Sequence, residues 1–158
     1  MTISINRFPD GSYCENYLNN ICKYYNKLGS YHRLDGPAVI HSNGDCEYWV
    51  DNVIHRADGP AIIHVDGTLE YFMHGKLHRV DGPAVIGFDG RLEWYVNGVR
   101  HRVDGPAIVH PPDCGCGCDN NDNYGDGSIW YDYWFRGVGV TKEVYYSDEF
   151  QCKMLMES

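Results

Sequence analysis

The sequence predicts an all-β protein, an elongated single-layer antiparallel meander of repeated hairpins. Three observations support this prediction: a unit that returns every 23 residues, tight-turn signals at fixed places within it, and no helical periodicity across residues 32–110. A fixed short period is typical of stacked repeats, in which each unit buries apolar surface against its neighbours. The unit begins with the pattern His-Arg-x-Asp-Gly-Pro-Ala, and its copies start at His32, His55, His78 and His101.

The copy at residues 78–100 shows how one unit predicts strands and turns. Its Gly-Pro pair suits a turn, because glycine accepts a positive φ and proline fixes its own φ. Residues 83–86 then predict a short strand, and the Asp-Gly pair at 89–90 is a strong signal for a two-residue hairpin. Residues 92–96 are aromatic and β-branched, which predicts the return strand. The Asn-Gly pair at 97–98 adds a second tight turn before the next unit.

Aromatic residues recur on one face of the predicted return strands. Alternation with period two places Trp49, Phe72 and Tyr95 at equivalent positions. Trp134 stands where the pattern resumes near the C-terminus. An aromatic face that the ends of the stack leave uncovered is a natural protein-binding surface, so these four residues are the predicted interaction surface.

The repeated His, Arg and Asp residues have two interpretations. A group present four times is more typical of a scaffold than of an active site, which combines different residue types once. In the structural interpretation, each Arg bridges to a carboxylate of the next repeat, and each His hydrogen-bonds its flanking turn or stacks on a ring. In the alternative, they form a row that binds an anionic small molecule such as a nucleotide. The residues concerned are His32, Arg33, Asp35, His55, Arg56, Asp58, His78, Arg79, Asp81, His101, Arg102 and Asp104.

The composition narrows the classes of partner. The formal charge is −9, which disfavours nucleic acid and anionic membrane surfaces. The charge is uneven, because residues 1–31 hold three basic and two acidic residues, whereas residues 101–158 hold four and ten. No apolar run approaches the roughly 20 residues that cross a bilayer. Because the N-terminus lacks a secretory pattern and the seven cysteines are an odd number, we expect reduced thiols and a cytoplasmic protein.

The period divides a single repeat domain into five parts. The first is an N-terminal partial repeat and cap, in which residues 15–20 are the predicted return strand after an Asp-Gly turn. The last is a C-terminal cap, where Ser147 is expected to begin a helix over residues 148–155 whose residues Phe150, Met154 and Leu155 face the sheet. The parts are residues 1–31 (cap), 32–110 (three full repeats and the start of a fourth), 111–125 (insertion), 126–140 (end of the fourth repeat) and 141–158 (cap).

The insertion contains three thiols spaced by glycines, Cys114, Cys116 and Cys118. Such thiols can surround a soft metal ion such as Zn²⁺ or Cu⁺, with glycine permitting a tight backbone. Structural zinc sites usually have Cys-x-x-Cys pairs instead, so a redox or disulfide role and a flexible loop stand as alternatives. No other cofactor is predicted.

The spacing of aromatic residue, glycine and histidine resembles a known family. The segments that carry the resemblance are Tyr95-x-x-Gly98-x-x-His101, Phe72-x-x-Gly75-x-x-His78 and Trp49-x-x-Asn52-x-x-His55.

This spacing resembles the MORN repeat, and the His-Arg-x-Asp-Gly-Pro-Ala variant resembles MORN-type repeats of giant-virus, phage and some bacterial proteins. The resemblance covers residues 8–140, with His-Arg-x-Asp-Gly replacing the family's His-Gly-x-Gly. It implies an elongated antiparallel ribbon that serves as a scaffold or dimerisation module, located in the host cytoplasm or the virion if the source is viral. Membrane attachment is attributed to some members, but the negative charge of this chain opposes it.

The function predicted from the sequence is a non-enzymatic scaffold that contacts a protein partner or a second copy of itself. The sequence contains no G-x-S-x-G, P-loop or H-E-x-x-H pattern, so no enzyme class is favoured. The alternative function is a module that binds or sequesters an anionic small molecule through the repeated Arg and His residues.

Overall fold

The computed structural model describes residues 2–111 and 130–157 of the 158-residue chain. These residues form short antiparallel strands followed by two helices, as the sequence predicts for an all-β meander. The elements are β1 (Thr2–Arg7), β2 (Tyr13–Tyr17), β3 (Cys22–Tyr25), β4 (Val39–Ile40), β5 (Cys46–Glu47), β6 (Trp49–Val50), β7 (Val53–Ile54), β8 (Ile62–Ile63), β9 (Leu69–Glu70), β10 (Phe72–Met73), β11 (Lys76–Leu77), β12 (Val85–Ile86), β13 (Leu92–Glu93), β14 (Tyr95–Val96), β15 (Val99–Arg100), β16 (Ile108–His110), β17 (Trp130–Phe135), β18 (Val138–Val140), α1 (Lys142–Tyr145) and α2 (Asp148–Glu157).

One antiparallel sheet of 12 strands runs the length of the described chain. Its order is β1-β2-β3-β4-β5-β8-β9-β12-β13-β16-β17-β18, so every strand pairs with the next strand of the sheet along the sequence. The meander of hairpins predicted from the period is therefore confirmed. Three further hairpins, β6–β7, β10–β11 and β14–β15, form separate two-stranded sheets beside it.

Each repeat contains two hairpins because the predicted return strand divides in the middle. Between β13 and β14, the backbone N–H of Trp94 donates to the carbonyl of Ala107 at 2.8 Å, while its carbonyl accepts from the N–H of His101 at 3.1 Å. The two partners belong to different elements, so the strand cannot stay paired with one neighbour. Tyr48 and Tyr71 make the same pair of bonds in the preceding repeats.

A column of alanines lies at the centre of the stack. In Ala61, the backbone N–H donates to the carbonyl of Glu70 and the carbonyl accepts from the N–H of Tyr48, both at 2.8 Å. The backbone of Ala61 is therefore bonded on both sides, and its methyl group is fully buried. All four alanines of the repeat are fully buried: Ala38, Ala61, Ala84 and Ala107.

The N-terminal partial repeat has a strand after its Asp-Gly turn, as predicted, but residues 18–20 are not part of it. This strand, β2, returns from the turn to pair with β1, ends at Tyr17, and is also the outgoing arm of a second hairpin whose returning arm is β3. The turn between them closes with the N–H of Tyr17 on the carbonyl of Ile21 at 2.9 Å. Asn20 takes the positive φ of 60° that Gly44 takes, at 100°, in the next repeat. With asparagine in the glycine position, the turn lacked the Asn-Gly or Asp-Gly signal.

Two helices cover the C-terminal end of the sheet. The predicted helix after Ser147 is present as α2, and the Ser147 hydroxyl accepts a hydrogen bond from the N–H of Phe150 at 3.3 Å. The helix α1, which the sequence did not reveal, starts at the N-cap Thr141. The Tyr145 side chain of α1 is buried and packs in a cluster with Tyr133, Phe135 and Phe150. The side chains of Met154 and Leu155, predicted to face the sheet, lie outside the described residues.

We expect Ala61→Val to lower the free energy of unfolding by about 1–3 kcal/mol, because two added methyl groups overfill a closed site. The matched control is Ala57→Val, since Ala57 is exposed and its equivalents in two other repeats, Val80 and Val103, are already valine. Urea unfolding followed by circular dichroism measures both variants. Equal stability of the two variants would contradict the assignment of the alanine column as core.

Candidate functional site

The arginines of the repeat lie over aromatic rings of the preceding repeat. Arg79 shows the arrangement, with its guanidinium carbon 4.1 Å from the centre of the Tyr71 ring. At this distance a guanidinium gains both cation–π attraction and stacking contact. The other three pairs, all at 4.0 Å, are Arg33 on Tyr24, Arg56 on Tyr48 and Arg102 on Trp94.

Each arginine binds the aspartate of its own loop, whereas the sequence predicted a bridge to the next repeat. The Nε of Arg79 donates to Asp81 at 2.9 Å, and its Nη1 donates to the carbonyl of Pro83 at 3.4 Å. The Gly-Pro turn folds the loop around the guanidinium, and a Cβ on Gly82 would lie 3.1 Å from the guanidinium carbon. The equivalent distances from Nε to aspartate are 2.8 Å for Arg33 to Asp35, 2.8 Å for Arg56 to Asp58 and 2.7 Å for Arg102 to Asp104.

These hydrogen bonds also set the charge state of the loop. The side-chain hydrogen bond from arginine, reinforced by its charge, lowers the pKa of Asp35, Asp58 and Asp81. The same hydrogen bond lowers the pKa of Asp104, against a smaller opposing effect of burial. Every loop therefore carries one ion pair whose guanidinium is also stacked.

The histidines of the repeat accept hydrogen bonds from the turns of the second hairpins. In each case Nδ1 accepts from a backbone N–H 19 or 35 residues later in the chain. The contact holds each ring against the turn of a second hairpin, and the His32 Nδ1 also lies 2.9 Å from the carboxylate of Asp51. The donors are the N–H groups of Asp51 to His32 at 3.3 Å, His74 to His55 at 3.1 Å, Asn97 to His78 at 3.0 Å and Arg136 to His101 at 3.3 Å.

A row of half-buried carboxylates, each paired with a cationic or histidine side chain, follows the large sheet. His64 Nε2 lies 3.0 Å from Glu70, and the equivalent distances are 2.8 Å for His41 to Glu47 and 3.1 Å for His110 to Asp132. In the third repeat Gly87 replaces the histidine, and Arg91 instead forms a salt bridge with the buried Glu93.

Two histidines of these rows have pKa values shifted in opposite directions. Burial lowers the pKa of His101, and the charge of Arg136 lowers it further. Burial also opposes protonation of His64, but hydrogen bonds with Glu70 and Asp45 outweigh it and raise the pKa of His64. Compared with an ordinary histidine, His101 therefore binds a proton less readily in the folded protein, and His64 binds one more readily.

The aromatic residues predicted as an interaction surface are all half-buried: Trp49, Phe72, Tyr95 and Trp134. Two of them bind the carboxylate row, because the indole N–H of Trp49 donates to Glu47 at 2.8 Å and the hydroxyl of Tyr95 donates to Glu93 at 2.9 Å. Towards the N-terminus the row continues as a stack of rings. The distances between ring centres are 4.9 Å from Tyr13 to Tyr25, 5.1 Å from Tyr25 to Tyr31 and 5.7 Å from Tyr31 to Trp49.

The variable residue of His-Arg-x-Asp is the one whose apolar side chain the loop presents to solvent. Leu34 is 81% exposed, Val80 is 82% exposed and Val103 is 48% exposed. The smaller Ala57 occupies the same position in the second repeat and is also exposed. We call these four residues the loop ridge. Sequence reasoning missed it, although an aliphatic residue recurring between charged residues of a turn was the available signal.

A cavity of about 840 Å³ lies at the N-terminal end, between the β1–β2 turn and the loop of the first repeat. Its lining includes the ring of Tyr13 and the charged residues Lys27, Arg33, Asp10 and Asp35. Two positive and two negative side chains give the cavity no net charge that would select an anion or a cation.

The predicted metal ligands Cys114, Cys116 and Cys118 lie outside the described residues. In the part of the chain that is described, no three His, Cys, Asp or Glu side chains are grouped closely enough to bind a metal ion. Neither helix of that part is long and apolar enough to cross a membrane.

No protein-family model matches this sequence, and no curated protein matches it either. The resemblance to MORN repeats therefore remains a prediction from the motif spacing.

We expect Arg79→Lys to lower the free energy of unfolding by about 1–2 kcal/mol, because lysine has no planar fork to stack on Tyr71 and bind Asp81 together. The comparison variant, Asp81→Asn, weakens only an exposed ion pair and should have a much smaller effect. Urea unfolding measures both. Equal losses would show that the ion pair, and not the stack, stabilises the loop.

We expect His101→Asn and His64→Asn to alter the pH dependence of stability in opposite directions. The lowered pKa of His101 means that the unfolded chain, with a histidine pKa of about 6.5, binds the proton first as the pH falls. The wild type therefore loses stability relative to His101→Asn below about pH 6.5. The raised pKa of His64 gives a contribution that is complete below about pH 6.5 and disappears as the pH rises through the raised value.

Urea unfolding of the three proteins between about pH 5 and pH 8 measures these differences. Each variant serves as the control for the other, since both replace a histidine with a side chain that does not titrate. Stability profiles that run parallel to that of the wild type would contradict both assignments.

Proposed function

We propose that this protein is a non-enzymatic scaffold of MORN-like repeats that binds another protein through the loop ridge. The proposal rests on the different environments of the polar residues and the variable residue within His-Arg-x-Asp. Its polar side chains are all engaged inside the chain, whereas its apolar residue faces solvent in every repeat. Because these aliphatic side chains recur at one place in each repeat, they form a row that a partner protein can cover.

The engagement of the polar groups supports a structural role for them. Arg79 stacks on Tyr71 and binds two oxygen atoms of its own loop, and His78 accepts from the N–H of Asn97. Groups held this way stabilise the contacts between repeats, and they are not poised to exchange protons with a substrate. The same arrangement in four repeats favours a scaffold over an enzyme.

The chemistry of the loop ridge indicates the kind of partner. Successive ridge residues lie two strands of the large sheet apart, which corresponds to about 10 Å. Each is followed by an exposed aspartate, as Leu34 is by Asp35 and Val80 by Asp81. A fitting partner presents apolar side chains with a similar spacing and basic residues beside them. The half-buried row of Trp49, Phe72, Tyr95 and Trp134 offers a second surface for a protein partner.

The alternative, binding of an anionic small molecule by the repeated Arg and His residues, has less support. Each arginine already neutralises an aspartate, so the row carries no surplus positive charge. The Nδ1 atoms of His55 and His78 are each occupied by a backbone N–H of the chain itself. The proposal also includes the location that the resemblance implies, which is the host cytoplasm or the virion if the source is viral.

We expect the double variant Leu34→Ser/Val80→Ser to retain at least about tenfold less of a partner protein than the wild type, because contacts at the centre of an interface dominate its affinity. The control is Val65→Ser/Phe88→Ser, which removes two apolar residues of 68% and 71% exposure from the turns of the first hairpins. The measurement uses immobilised proteins and an extract of the source cells. Equal retention by the two double variants, or no retention by the wild type, would refute this function.

A further inference from the structure

The two ends of the large sheet are finished differently. At the C-terminal end, Tyr145 of α1 donates to the carbonyl of Arg102 at 3.1 Å and accepts from the N–H of Gly105 at 3.0 Å, so the helix is fastened to the last loop. At the N-terminal end the sheet stops at β1. Among residues 2–111 and 130–157, no strand pairs with the side of β1 that faces away from β2.

The hairpin register shows which backbone groups of β1 point outward. The N–H of Phe8 donates to the carbonyl of Ser12 at 2.9 Å, which makes these two residues a hydrogen-bonded pair. Hydrogen-bonded and non-hydrogen-bonded pairs alternate along an antiparallel hairpin. The N–H groups of Asn6 and Phe8 therefore point towards β2, and those of Ile5 and Arg7 point away from it.

The β1 strand has one feature that protects an edge, a register irregularity between Thr2 and Ser4, and its regular part from Ser4 to Arg7 is open. It extends over six residues, Thr2–Arg7, whereas every strand of the three full repeats has two. It contains no proline, and its only charged residue is Arg7 at the last position. Its Ile5 side chain is 49% exposed. Natural sheets interrupt such edges with prolines, charges or short strands, because an open edge pairs with another strand.

The charge distribution identifies a second copy as the strand that fits. Residues 1–31 carry three basic and two acidic residues, whereas the remaining residues carry ten basic and 20 acidic residues. Two chains that meet at their N-terminal ends bring together the parts that repel least and keep the strongly acidic parts apart. The C-terminal ends lie many Debye lengths of about 8 Å from the junction, so their repulsion is screened.

We infer that this protein forms a symmetric dimer in which the β1 strands of two copies pair antiparallel, with Ile5 opposite Ile5 of the second copy. In this register the outward N–H and carbonyl of Ile5 each meet their counterpart, within the regular part of β1 from Ser4 to Arg7. The two sheets become one sheet of 24 strands, about 110 Å long. This inference rests on the proposed scaffold function and adds a second copy of the chain as a partner.

Sedimentation and light scattering at concentrations up to about 1 mM test the dimer, a range chosen because small interfaces are weak. The expected result is a concentration-dependent shift from 18.1 kDa to twice that mass. Ile5→Pro removes the outward N–H without removing a bond of the β1–β2 hairpin, and it should raise the dissociation constant by about tenfold or more. Ile5→Val keeps that N–H and is the matched control. A wild type that stays monomeric, or an Ile5→Pro dimer of unchanged affinity, would overturn the inference.

Amide hydrogen exchange provides a second test at single residues. In the dimer the N–H group of Ile5 should exchange more slowly as protein concentration rises, while that of Asn6 should be protected at every concentration. Exchange at Ile5 that is independent of concentration would also overturn the inference. Ile5→Pro should leave the retention of a partner by the loop ridge unchanged, so failure of the dimer and failure of the proposed function give different results.

Discussion

The stacking of an arginine on a ring of the preceding repeat is the interaction on which the rest of this structure depends. It fixes the position of the loop, because the guanidinium simultaneously binds the aspartate and the proline carbonyl of that loop. The glycine between them leaves room for the guanidinium, which would have to shift if a Cβ were added at Gly82. Because these residues make contacts inside the loop, the variable residue points outward. The loop ridge is therefore a consequence of the stacked arginine.

Much of the fold could be predicted because its signals are local. The period, the Asp-Gly and Asn-Gly turns and the serine before α2 each specify structure within a few residues. What the sequence concealed depends on distant partners or on a substituted residue. The division of the return strand at Trp94 arises from bonds to two separate elements, which no local pattern encodes. The turn at Asn20 was hidden because asparagine stands where glycine usually marks such a turn.

The sequence identified the residues of the candidate site but not the contacts that these residues make. Repetition alone indicated that the histidines and arginines belong to the scaffold, but it could not show that each arginine binds within its own loop. That choice follows from the planar stack, which directs Nε towards the aspartate two residues later. The third repeat shows what the carboxylate row requires, since Arg91 supplies the positive charge where Gly87 has replaced a histidine. Each carboxylate of the row requires a cationic or hydrogen-bonding partner, but the type of residue that supplies it differs between repeats.

The helical cap at one end gives the chain a direction that its repeats lack. In a stack whose units contact only their neighbours, opening starts where a unit has one neighbour and proceeds inward. Tyr145 ties the last loop to α1, which disfavours opening from the C-terminal side. Fraying should then advance from the N-terminal strand, releasing one stacked arginine after another. Unfolding would therefore proceed in one direction along the sheet. A molecule that binds β1 would then determine how long the whole chain stays folded.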